Sequence, residues 1–204
     1  MTSARSEARD RILRATVSAL GVHGYAGTTA RSIATLGGFA PGVIYYHFTD
    51  LDELLVATAA YASAAREAQY RAAMTGVTSA AAMVRLVRSL YAEDTESGHV
   101  QAVQELVTAA RPGTALAVAV AEQTRRWEDL AEEVLRTLLR GKPLARLVDA
   151  RVVGRAAVAY FLGTQALTHI EQDPTRSQEA FQQAERLAAI FDKLPRRKRA
   201  RATK

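Results

Sequence analysis

Apolar residues recur at helical spacing almost from one end of this chain to the other, and no stretch of strict alternation bounded by turn residues interrupts them. That pattern admits one fold class, all-α. A helix buries a stripe three and four positions apart, whereas a half-buried strand buries every second residue, so a chain written in the first period cannot cover a sheet. The first helix is expected over about Ser6 to Val22, with Ile12, Leu13, Thr16, Val17 and Leu20 on one face and Gly24 standing where a left-handed cap is wanted. Thr28 or Thr29 then caps a short second helix, Ala30 to Leu36, which Gly37 and Gly38 end within two turns. A third short helix begins near Pro41, whose fixed φ suits a first turn, and Asp50 followed by Glu53 reads as an Asp variant of the capping box opening a fourth towards Met74. Five more are expected at roughly 79–96, 100–110, 114–140, 146–171 and 177–191, about nine helices in all, with Gly and Pro clusters at the breaks.

At 204 residues the chain is long enough to bury a sizeable core. The formal net charge of +6 suggests a nucleic-acid partner only until it is located: seven of the 27 basic residues fall in residues 193–204, where there is no acid. That segment is expected to be a disordered basic tail, and the rest of the chain is close to neutral. No apolar run approaches the roughly 18 to 20 residues that cross a bilayer, and the polar start MTSARSEARDR does not resemble a signal peptide, so a cytoplasmic protein without a membrane partner is expected. With no cysteine, disulfides, thiolate metal sites and a cysteine nucleophile are impossible.

Two short helices joined by a tight Gly-containing turn, with a longer helix packed behind them, are the parts of a helix-turn-helix. Ala30, residues 33–36, Ile44 and Phe48 are expected to fill the small core that sets the angle between the two helices. The remaining faces are free for DNA, because a helix fits the major groove, where each base pair displays its own donor and acceptor pattern. Domain boundaries are expected at 1–50 for this head and 51–192 for a larger helical body that binds effector and dimerises.

The run of Gly24-Tyr25, Thr28-Thr29, Ile33-Ala34, Gly38 and residues 42–48, leading to Asp52-Glu53-Leu54-Leu55, resembles the tetracycline-repressor family of bacterial regulators. The resemblance covers about the first 60 residues. It implies a dimer formed mainly by the last two helices, an effector cavity in the body, and double-stranded operator DNA as partner. Carried across by position, it places Thr28 and Thr29 at the DNA backbone, Arg31 and the face formed by Ala40, Pro41, Gly42, Val43, Tyr45 and Tyr46 at bases or phosphates, and His47 at a phosphate. The residue types agree with those roles. Hydroxyls and free amides at a helix start suit phosphate oxygens, Gly42 lets backbone approach DNA, and a tyrosine offers a hydroxyl plus ring surface for a thymine methyl. The competing reading of either tyrosine is that it packs the small core with Phe48. Ala40 stands where the family commonly has a capping Ser or Thr, and Leu51 where a lysine often grips the backbone, so phosphate affinity should fall to Arg31 and the N-terminal arginines.

In the body, small and apolar residues line the last two helices at helical spacing, and Val153, Ala157, Tyr160, Thr164, Phe181, Ala184, Leu187, Ala188 and Phe191 are the candidate dimer residues; internal core is the alternative. An effector site needs a concave apolar wall with a few polar groups, for which Tyr61, Arg88, Tyr91, His99, Gln123, Trp127, Phe161 and Gln165 are candidates. His99 and His169 have no ligating neighbour at metal spacing, so no metal site or cofactor is expected. The nucleophile, zinc, phosphate and dinucleotide motifs of enzymes are missing, so no catalytic residue is expected. The expected function is a DNA-binding repressor released from its operator by a small-molecule effector; a helical protein–protein adaptor that ignores DNA is the alternative.

Overall fold

The computed structural model describes residues 2–171 and 173–195, with side chains from Arg5 onwards. The expected basic tail lies outside the described residues beyond residue 195. Every regular element among the described residues is helical: α1 (Thr2–Gly27), α2 (Ala30–Gly37), α3 (Gly42–His47), α4 (Leu51–Met74), α5 (Ala80–Glu96), α6 (His99–Ala109), α7 (Ala115–Leu139), a 3-10 turn at Pro143–Arg146, α8 (Ala150–Glu171) and α9 (Thr175–Lys193). Gly24 breaks α1 with φ 66° and ψ 179°, a conformation that a Cβ disfavours, and a single further turn follows it. The start of the eighth helix lies four residues later than the expected 146. Asp149 decides this: its carboxylate accepts from the N–H groups of Arg151 (2.9 Å) and Val152 (3.3 Å), so the helix starts directly after it and the 3-10 turn ends before it.

The described residues group into two compact units, one from the N-terminus to Gln69 with Leu90–Arg125, the other Tyr70–Ser89 with residues from Arg126. In the first unit, Ile12, Leu13, Ala15, Ala19, Ile33, Ile44, Phe48 and Leu54 form a cluster under the head. Each fully buried large aliphatic side chain there contributes roughly 1.5–3 kcal/mol by leaving water. A second cluster joins Leu20 of α1 and Leu55 of α4 to Ala102 and Leu106 of α6 and Leu116 of α7. Thr16 and Thr58, both sealed in this unit, give their hydroxyl protons to the carbonyls of Ile12 and Leu54 one turn back, so neither buries an unpaired donor.

The first unit also ties α1 to α6 by polar contacts. A Cβ on Gly21 would stand 2.8 Å from the carbonyl oxygen of Gly98, so only glycine permits this approach. The break at Gly24 frees the N–H of Tyr25, which donates to Glu105 Oε2 at 2.8 Å, while Gln101 Nε2 donates to Oε1 at 2.8 Å. These contacts join α6 to the rear of α1.

In the second unit, Ala80, Ala81, Met83, Leu138 and Ala188 form the core, with Phe191 packed against it. Two helix-end contacts bind this unit. Asp192 of α9 accepts from Ser79 Oγ (2.7 Å) and the N–H groups of Ala80 (2.8 Å) and Ala81 (3.0 Å), which caps α5 from a distant helix. Buried Lys142 donates from Nζ to the carbonyls of Phe191 (2.6 Å) and Leu194 (3.4 Å) at the end of α9, with the Phe191 ring 4.2 Å below it. Burial acts to raise the Asp192 pKa, but the N–H groups of Ala81 and Ala80, the Ser79 hydroxyl and the Lys142 charge together outweigh it and hold the carboxyl below its ordinary value.

Candidate nucleic-acid interface

Three local devices set the head. Thr29 caps α2: its Oγ1 accepts from the Ser32 N–H at 3.2 Å, and Ser32 Oγ accepts from the Thr29 N–H at 2.9 Å. Gly38 closes the helix in the left-handed region (φ 64°), its N–H directed to the carbonyls of Ala34 and Thr35. Arg11 then reaches from α1 to the same helix end, donating from Nε to Gly37 O (2.9 Å) and from Nη2 to Gly38 O (2.8 Å). A Cβ on Gly37 would lie 2.1 Å from the Phe39 ring, so the turn is as tight as its glycines allow.

In α3 and its C-terminal cap the core positions are Ile44 and Phe48, four residues apart and both sealed. That leaves Tyr45 55% and Tyr46 72% exposed, so the core reading of the tyrosines fails for both. Thr29, Arg31, Ala40, Pro41 and Gly42 are also exposed, and a Cβ on Gly42 would meet nothing within 4 Å. His47 is half-buried, edge-on to the Tyr46 ring at 5.1 Å.

Three expectations for the head need correction. Thr28 is 8% exposed and its hydroxyl proton is already given to Gly24 O at 2.6 Å, so it does not stand out with Thr29 as a free donor. Val43 leans on the head's core rather than standing out with the tyrosines. Leu36, expected inside with Ile33, is instead exposed, because the short α2 shows its core only Ile33 and Ala34.

Asp50 and Glu53 are engaged in the start of α4: Asp50 Oδ1 accepts from the Glu53 N–H (2.8 Å) and Glu53 Oε2 from the Thr49 N–H (2.7 Å). The Thr49 N–H is the main cause of a Glu53 pKa below the ordinary range. Behind the head stands the row of α1 arginines, whose contacts with its aromatic rings no spacing in the sequence announced. Arg5 lies over Tyr46, Arg9 over Phe48 and Arg11 over Phe39, at 5.7, 5.1 and 5.7 Å from the ring centres.

The candidate effector residues divide between the units. Tyr61, Tyr91, His99 and Gln123 belong to the first, and Arg88, Trp127, Phe161 and Gln165 to the second. Burial, and then the Arg66 charge, push the pKa of His99 down to about 4, so the imidazole is neutral near pH 7. Gln123 is buried and its Oε1 has no hydrogen-bond partner among the described residues. Arg88 is exposed and pairs with Glu185 at 3.3 Å, while Trp127 stands edge-on to Tyr70 at 5.2 Å. A surface groove of about 330 Å3 in the second unit is lined by Arg136, Leu139, Arg140, Ala145, Val148 and Ala150, none of them a candidate.

Of the candidate dimer residues, Val153, Ala157, Tyr160 (63%) and Leu187 (66%) are exposed, Phe181 and Ala184 half-buried, and Thr164 buried. Ala188 and Phe191 belong to the unit's own core, because α9 turns that stripe inward. Its neighbouring stripe carries Leu187 and Ile190 outward, while α8 exposes Val152, Leu167 and Ile170 as well. Among the described residues no cluster of metal-ligating side chains occurs, and no helix is long and apolar enough to cross a membrane.

Residues 12–58 match the model of the tetR family of bacterial regulatory proteins. The match lies wholly within the head and the start of α4. The whole TetR fold follows: a TetR transcriptional regulator from Chloroflexus aurantiacus superposes with a TM-score of 0.72 at 20% identity, over 92% of this chain and 96% of that one. A TetR-family regulator from Cytophaga hutchinsonii gives 0.78 at 17% identity over 94% and 98%, and the regulator FadR of Bacillus subtilis, in complex with stearoyl-CoA, gives 0.67 at 14% over 90% and 97%. No curated protein sequence matches the chain. A head that matches the tetR family's model and the fold of solved TetR regulators are the features of a DNA-binding transcriptional regulator.

Proposed function

We propose that the chain is a cytoplasmic, homodimeric repressor that binds a two-fold operator through Thr29, Arg31 and the exposed face of α3, and leaves it when the body binds a small molecule. The observation that carries this reading is the exposure of both tyrosines in α3 while Ile44 and Phe48 fill the core. Large aromatic surface held in water on a short, rigid helix is the form that groove recognition requires. The adaptor alternative gives no account of a head built from a capped helix, a left-handed turn and a reading helix.

The exposed apolar rows of α8 and α9 support pairing, since Val152, Tyr160, Ile170, Leu187 and Ile190 would leave water in a four-helix interface. Two heads so joined address half-sites one helical turn, roughly 34–36 Å, or a multiple of it apart. The unpaired acceptor of Gln123 and the neutral imidazole of His99 support an effector with a hydrogen-bond donor among apolar surface. FadR in its complex with stearoyl-CoA is a TetR-fold precedent for an effector with a long apolar chain. Release follows by population shift: an effector that prefers one body arrangement changes the spacing of the heads, so that one dimer no longer fits both half-sites. Gel-shift with DNA from upstream of the chain's own gene tests the reading. Saturable, sequence-dependent retardation is expected, and retardation equal to that of any duplex would refute it.

A further inference from the structure

We propose that Arg5 is part of the DNA-reading surface, as a phosphate contact and as the residue that positions Tyr46. The inference rests on the DNA-binding reading above. Residues 38–49, from the turn through the end of the reading helix, contain no lysine or arginine, and Asp50, Asp52 and Glu53 follow directly. A helix so poor in cations cannot by itself neutralise the phosphates that flank a major groove, and that neutralisation supplies most of the nonspecific affinity for DNA. The cations must come from another element, and α1 delivers guanidinium groups to the aromatic rings of the head.

Those arginines do different work. Arg11 is committed to the carbonyls of Gly37 and Gly38 and holds the turn. Arg9 lies over Phe48, a core ring, and its charge acts on the Glu53 carboxylate, so it serves the junction of α3 and α4. Arg5, one helical turn before Arg9 on the same face of α1, stands over Tyr46, the most exposed of the aromatic rings in the reading helix, and has no carboxylate partner among the described residues. Its charge is therefore available to a phosphate. The Arg5 guanidinium also covers one face of the Tyr46 ring, which biases the side chain towards one rotamer and leaves its hydroxyl and other face for the groove. Tyr46 in turn meets His47 edge-to-face, so Arg5, Tyr46 and His47 form a stack that runs from α1 onto the reading helix.

The experiment uses the full chain and a duplex recovered by selection from a random-sequence pool. Affinity is measured between about 50 and about 200 mM salt for the parent chain, Arg5→Ala, Arg5→Lys, Tyr46→Ala and the double alanine variant, with melting temperatures recorded for each. Arg5→Ala should flatten the slope of log affinity against log salt by about 0.9 per head, and Arg5→Lys should restore it. The melting temperature should not change, because both side chains are exposed. The double variant should lose less affinity than the product of the two single losses, and Arg5→Ala should relax base preference at the same half-site positions as Tyr46→Ala. Arg11→Ala should instead lower the melting temperature and leave the slope intact. An unchanged slope in Arg5→Ala overturns the phosphate contact, and losses that multiply overturn the positioning. A parent chain that selects no sequence takes down the DNA-binding reading itself, a failure visible before any variant is compared.

Discussion

Tyr46, in the proposed reading face, and Gly21, at a close backbone approach, are expected to divide between function and fold. Replacing Tyr46, 72% exposed, with Ala removes no core contact, so the melting temperature should stay within a degree or two while operator affinity falls by about tenfold or more, as expected for one lost base contact worth roughly 1–3 kcal/mol. Gel-shift beside thermal melts checks both halves. Gly21→Ala should do the reverse: its Cβ would press on the Gly98 carbonyl at 2.8 Å, and the resulting backbone shift should cost about 1–3 kcal/mol in denaturant unfolding. His99 adds a pH signature. Its folded pKa, about 4, lies below its ordinary 6.5, so the stability tied to its neutral form is complete above pH 6.5 and is lost as pH falls towards 4. Melts of His99→Phe should be flatter than those of the parent chain across that window. The exposure of Tyr45 and Tyr46 was half legible in the sequence. Ile44 and Phe48 already satisfied the i, i+4 core stripe, but aromatic rings are as often core as contact, and only the structure separates the two.

At the scale of helices, the boundaries most open to sequence reading are those set by near neighbours. Gly24, Thr29, Gly38 and the Asp50–Glu53 pair each act within a few residues of themselves, and each ends or starts a helix where the spacing suggested. The start of α8 escaped because Asp149 looked like one more polar residue inside an amphipathic run, when its carboxylate was the cap. The two most consequential contacts of the second unit escaped altogether: Asp192 caps α5 from 112 residues away and Lys142 caps α9 from 49, and no local pattern announces either. The Asp192 cap is testable. Asp192→Ala should lower stability at neutral pH by roughly 1–2 kcal/mol. Because the folded pKa is depressed below 3.8, that contribution is present above 3.8 and disappears as pH falls through the lower folded value, so parent and variant should converge in strong acid.

For the molecule as a whole, the class, the order of helices and the reading head were all open to the sequence, because periodicity and turn chemistry determine them. The proposed effector site was not. Its candidate residues fall in two separate units, and concavity is a property of packed helices rather than of any spacing along one of them. On the proposed reading operator recognition depends on pairing, and Tyr160→Glu with Leu187→Glu should place charges on the exposed apolar rows, giving a monomer in sedimentation that loses operator affinity by far more than its intact head would explain. The most direct measurement is selection of duplexes from a random-sequence pool by the full chain, with the mass of the bound complex read by sedimentation. A two-fold symmetric consensus, occupied by two copies and weakened by Tyr46→Ala, is the predicted result. A pool that emerges without a consensus, bound by single chains and indifferent to Tyr46, would contradict it.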